Sequence, residues 1–100
     1  MVSLDQLFKW AYKVGALLKE EDSKYVEILI FDLRAEKTAG RFFEKLAIRI
    51  ADFDKRLGIN TNIPFDLFER EISGDRFYYI KSAILAGLLN SLYRKDADEN

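Results

Sequence analysis

The chain has 100 residues, 49% of them hydrophobic and 33% charged, with a formal net charge of −1. That is the size and composition of one folded domain, neither disordered nor strongly basic. It contains no cysteine and no histidine, which removes disulfides, thiolate metal sites, and the commonest acid–base group and metal ligand.

The first helix opens at Ser3, with Gln6 three residues on as in a capping box. Leu4, Leu7, Phe8, Ala11, Val14, Leu17 and Leu18 then recur at helical spacing. Acids oppose the dipole of a helix C-terminus, so the run Glu20-Glu21-Asp22 predicts an end near Lys19. Trp10 and Tyr12 lie off the main stripe, either closing the core from the side or anchoring a partner.

Ser23 is the expected cap of the second element. Val26, Leu29, Ile30 and Leu33 fit a helical stripe, although Tyr25 to Phe31 is also rich in strand-forming types. Helix is preferred, because a lone strand would have no partner for its backbone groups. Thr38-Ala39-Gly40 breaks the chain before the clearest helix, whose apolar face is Phe42, Phe43, Leu46, Ala47, Ile50, Phe53 and Leu57. Gly58 follows as a left-handed terminator. A loop leads to Pro64, which suits the first turn of a short helix to about Glu71 with Phe65, Phe68 and Ile72 inward. After the turn Ser73-Gly74, Asp75 can cap a last helix running from Phe77 to Tyr93. The expectation is a single all-α domain over residues 1–95, a compact bundle of four longer helices and one short one. Residues 96–100 would be an acidic flexible tail.

The last helix is apolar almost all round, and its small residues Ala83, Gly87 and Ser91 recur every four positions. Such a stripe lets another backbone come close. It serves either a neighbouring helix of this chain or a partner. The second reading makes Ala83, Gly87 and Ser91, with Tyr79 and Tyr93 at the ends, an interface exposed in the isolated domain. Lys81 and Asn90 interrupt the segment, which falls short of the ~20 apolar residues of a membrane span. No basic-then-apolar signal pattern opens the chain, so the expected location is cytoplasmic. Many charges beside a single Gln and a single Met suit a thermophile.

Arg41, Lys45, Arg49 and Arg56 line one side of the third helix, and Lys37 extends the line backwards if the helix is continuous, giving a cationic track of roughly 25–30 Å that could follow phosphates. Tyr78, Tyr79 and Tyr93, with Lys81 and Arg94 nearby, are candidate stacking platforms for single-stranded nucleic acid. The competing reading is a solvated face, because Glu44 and Asp52 each lie three residues from a cation. No catalytic set is expected. Asp52 and Asp54 diverge on a helix, Asp66, Glu69 and Glu71 lack a converging partner set, and no serine or threonine has a histidine to activate it. The glycines are isolated, so no phosphate loop is present, and no cofactor or metal is implied.

A cysteine-free helical chain of this size, with a basic helix and a last helix reading Phe77-Tyr78-Tyr79-Ile80 and Ala86-Gly87-Leu88-Leu89, resembles the small subunits of CRISPR RNA-guided effector complexes. The resemblance implies a non-catalytic subunit of a larger antiviral assembly. It would contact protein subunits and hold a nucleic-acid strand through Arg41, Lys45, Arg49 and Arg56. The near-neutral charge departs from a strongly basic binder. The alternative is a stand-alone helical homo-oligomer, structural or regulatory, without nucleic acid.

Overall fold

The computed structural model describes residues 3–63 and 75–93. Among them are four helices and no strand: α1 (Leu4–Glu21), α2 (Ser23–Ala35), α3 (Ala39–Leu57) and α4 (Asp75–Tyr93). The expected short helix from Pro64, the inward Phe65, Phe68 and Ile72, the Asp75 side-chain cap and the acidic tail all fall outside the described residues.

Local signals account for most of the boundaries. Ser3 and Gln6 form the reciprocal capping box, with Ser3 N donating to Gln6 Oε1 at 2.8 Å and Gln6 N to Ser3 Oγ at 3.1 Å. The α1–α2 junction differs from expectation. α1 continues to Glu21, and Asp22 rather than Ser23 caps α2. Asp22 is extended, its N–H still closes α1 on the Leu18 carbonyl, and its carboxylate accepts from Lys24 N at 2.9 Å. A carboxylate is a strong cap, while exposed acids at a helix end cost only a few tenths of a kcal/mol, so the cap sets the boundary. Thr38 caps α3 through Arg41 N, and Gly58 ends it at φ 64°, the left-handed conformation that glycine adopts without strain.

α2 is helical because its stripe is a core stripe: Val26, Leu29 and Leu33 are fully buried. They meet Leu7, Val14 and Leu18 of α1, Phe42, Leu46 and Ile50 of α3, and Ile80, Ile84 and Leu88 of α4 in one apolar cluster. Edge-to-face rings add to it, with Tyr25 on Phe53 at 5.4 Å and Phe42 on Phe77 at 5.6 Å. Trp10 takes the core-closing role. It packs on the cluster, and its Nε1–H donates to the Thr61 carbonyl at 2.8 Å. Thr61 is in turn held by the Asp54 carboxylate, which accepts from Thr61 N at 3.2 Å and from its hydroxyl at 3.1 Å. The chain after α3 is thereby tied back onto α1.

The α1–α4 pair is the closest in the fold. Gly87 faces Phe8, Ala11 and Tyr12, and Ser91 faces Gly15, so the two helices run in the same direction. A Cβ added at Gly87 would lie 2.4 Å from the Phe8 carbonyl oxygen, and one added at Gly15 would lie 1.8 Å from Ser91 Oγ. Only glycine permits either approach. The small-residue stripe of α4 is therefore consumed inside the chain. Gly87 and Ser91 are buried, and Ala83 packs against the core cluster. The expectation of a stripe exposed for a partner is corrected: its complement is Ala11 and Gly15, four residues apart on α1.

Candidate functional site

The cations of α3 lie along its seam with α2. Arg49 Nη2 stands 2.8 Å from Asp32 Oδ2, and Lys45 Nζ stands 2.6 Å from Glu36 Oε1. The sums of these residue numbers are equal, which is the register of an antiparallel pair. Arg41 Nε also reaches Glu36, at 3.4 Å, and Arg56 pairs with Asp52 one turn away at 3.2 Å. The Arg49–Asp32 contact is a charge contact without good hydrogen-bond alignment. Glu36 is the hub. Its hydrogen bond from Lys45 holds its carboxyl below the usual carboxylate range; partial desolvation opposes this, and the charges of Lys45 and Arg41 add to it.

The expected track therefore exists as a row of residues but not as a row of uncompensated charge. Arg41, Lys45, Arg49 and Arg56 each have a carboxylate beside them, and Lys37 is exposed in the α2–α3 turn. Phosphate binding along the helix would have to break these pairs. Between Glu36, Arg41, Glu44, Lys45, Ile48 and Arg49 the surface dips into an open hollow of about 420 Å³.

Positive charge and exposed rings converge elsewhere, at the end where α2 stops and α3 and α4 begin. Residues 34–41 hold Arg34, Lys37 and Arg41 against the single carboxylate Glu36, and all three cations are exposed. Lys81 secures α4 to this end by donating to the Arg34 carbonyl at 3.1 Å and to the Glu36 carbonyl. These are the C-terminal carbonyls of α2, left without intrahelical donors, and a cation there complements the helix dipole. Phe77 anchors the same turn of α4 on Phe42 and Phe43. Tyr78 and Tyr79 are left facing solvent, 70% and 58% exposed, with their rings 6.4 Å apart edge to face. Tyr93 is exposed at the far end of α4.

The carboxylates considered for chemistry have structural partners instead. Asp52 holds Arg56, and Asp54 holds Thr61. Asp66, Glu69 and Glu71 lie outside the described residues. No cluster of three or more potential metal ligands occurs among the described residues, and no described helix is long and apolar enough to cross a membrane.

Two features escaped the sequence reading. One is Gly15, treated as an isolated glycine although Ala11 precedes it by four. The other is the set of large apolar residues off the core stripes, Ile28, Phe31 and Ile48, all exposed. Their departure from the i, i+3, i+4 pattern of α2 and α3 was the available signal. No protein-family model matches this chain, and neither does any curated protein or solved structure.

Proposed function

We propose that the chain is a non-catalytic interaction subunit of a larger assembly, and that it holds a single nucleic-acid strand at the end where α2, α3 and α4 meet. The observation that carries this reading is that Phe77 on Phe42 and Lys81 on the Arg34 carbonyl bring the start of α4, with exposed Tyr78 and Tyr79, to the end of the bundle that holds exposed Arg34 and Lys37. Aromatic faces stack bases at about 1–3 kcal/mol each regardless of sequence, and flexible cations track the phosphates. The resemblance of the last helix to small subunits of CRISPR effector complexes supports the same role. The site differs from the track read along α3, because Arg41, Lys45, Arg49 and Arg56 are engaged with Glu36, Asp32 and Asp52.

The test is fluorescence anisotropy with a labelled oligothymidine between about 50 and 200 mM salt. Binding is expected to weaken steeply with salt. The double variant Tyr78→Ala/Tyr79→Ala should weaken it at every salt concentration, and Lys37→Glu should flatten the salt dependence. Absence of binding at low salt, or binding indifferent to all three substitutions, overturns the reading.

A further inference from the structure

Given the strand site proposed above, on which this rests, we infer that Glu36 is a built-in competitor for the strand's phosphates, its carboxylate holding Arg41 and Lys45 where a phosphate would otherwise take them.

The place of Glu36 in the fold is what makes it a competitor. It ends α2 in the turn that leads into α3, and Lys37 follows it, exposed to solvent. Cations from two other helices converge on it. Lys45 Nζ stands 2.6 Å and Arg41 Nε 3.4 Å from its carboxylate oxygens, and the Lys81 ammonium donates to its backbone carbonyl. Lys81 lies one turn after Tyr78 on α4. One residue therefore engages the α3 cations through its side chain and the tyrosine-bearing end of α4 through its backbone.

The two partners of the carboxylate are unequal. The Glu36 side chain is only 13% exposed, sheltered by its partners, whereas that of Arg41 is 77% exposed. The Arg41 contact is the longer one and uses a single donor of the guanidinium fork. An ion pair so open to water contributes little, so a phosphate can draw Arg41 away without displacing α3. Beside the pair the surface opens into the hollow of about 420 Å³, which Arg41 and Lys45 both line, and incoming phosphate oxygens have room there. The hydrogen bond from Lys45 holds the Glu36 carboxyl below the usual carboxylate range, so it stays charged and competes at neutral pH. Glu44 lines the same hollow, but among the described residues no ion pair ties it to Arg41 or Lys45.

The oligothymidine assay on the full chain tests this with Glu36→Gln. At about 50 mM salt the variant is expected to bind roughly tenfold more tightly than wild type. The slope of log affinity against log salt should steepen by about 0.7, the share of one further phosphate on a single strand. Arg41→Gln should cost more affinity in the Glu36→Gln background than in wild type, because Arg41 is released there. Glu44→Gln removes the same charge from the same hollow and should give a clearly smaller gain. A merely structural role for Glu36 would weaken binding in the variant rather than strengthen it. Unchanged or weaker binding by Glu36→Gln, an equal gain from Glu44→Gln, or an Arg41→Gln cost that is the same in both backgrounds overturns the proposal. Such a result leaves the strand site standing if wild type binds and Tyr78→Ala/Tyr79→Ala weakens it. If neither wild type nor Glu36→Gln binds at low salt, both readings fail.

Discussion

The α1–α4 and α2–α3 seams hold the same bundle together with opposite materials. Between α1 and α4 the contact is made by what is missing: at Gly15 and Gly87 no side chain exists, and backbone meets backbone or a serine. Between α2 and α3 the outer contact is made by long side chains, Arg49 to Asp32 and Lys45 to Glu36, partly exposed to water. A seam built on absent atoms has no slack, because a carbonyl cannot turn aside as a lysine can. An ion-paired seam bends easily and contributes little per pair, since solvent screens it. Disruption should therefore be severe on one side of the molecule and mild on the other.

The largest effect is expected for Gly87→Leu. Its Cβ alone would lie 2.4 Å from the Phe8 carbonyl oxygen, and the rest of the side chain has nowhere to go. A loss of about 3 kcal/mol or more is expected, seen as a fall of roughly 10–20 °C in Tm. A near-wild-type melt would show that α1 and α4 can part freely. Next comes Gly15→Ala, where the obstacle is the Ser91 side chain rather than backbone. It should cost about 1–3 kcal/mol, and adding Ser91→Gly should recover most of it. Without that recovery in a double-mutant cycle, the two residues do not share the site.

Lys81→Met sharpens the comparison from the side of α2. It removes the donor to the Arg34 and Glu36 carbonyls while keeping an apolar stem, and about 1 kcal/mol should be lost in urea unfolding. An unchanged midpoint would mean that water replaces the ammonium there. The smallest effect belongs to Glu36→Gln and lies in its pH dependence. The Glu36 carboxyl is lower in the folded chain than in the unfolded one. Its contribution is therefore complete above the unfolded carboxyl range and disappears as the pH falls through the folded one. Wild type should melt higher than Glu36→Gln near neutrality, and the two curves should converge in acid. A constant gap across the titration would show that the charge of Glu36 is not what the substitution removes.

Elements with local causes were legible in the chain itself. The Ser3–Gln6 box, the break at Thr38, the stop at Gly58 and the stripes from Leu7 to Leu18 and from Phe42 to Phe53 need only neighbours three or four residues away. The α1–α2 boundary moved because Ser23 and Asp22 compete for one cap, and composition does not rank them there. The candidate site was legible as residue types and not as a place. Lys37, Arg41 and the tyrosines could be named, but Phe77 on Phe42 and Lys81 on the end of α2 are what bring them to one end.

By itself, then, the sequence determined that the described residues form helices around an apolar core, since helical periodicity and capping are written within one or two turns. Only the tertiary structure decided which faces were spent. It matched Ala11 and Gly15 with Gly87 and Ser91, and it set Asp32 and Glu36 against the α3 cations. The reason is physical. A small-residue stripe or a charged row has the same local form whether its complement lies in the same chain or in another molecule, and only the meeting of distant segments removes that choice.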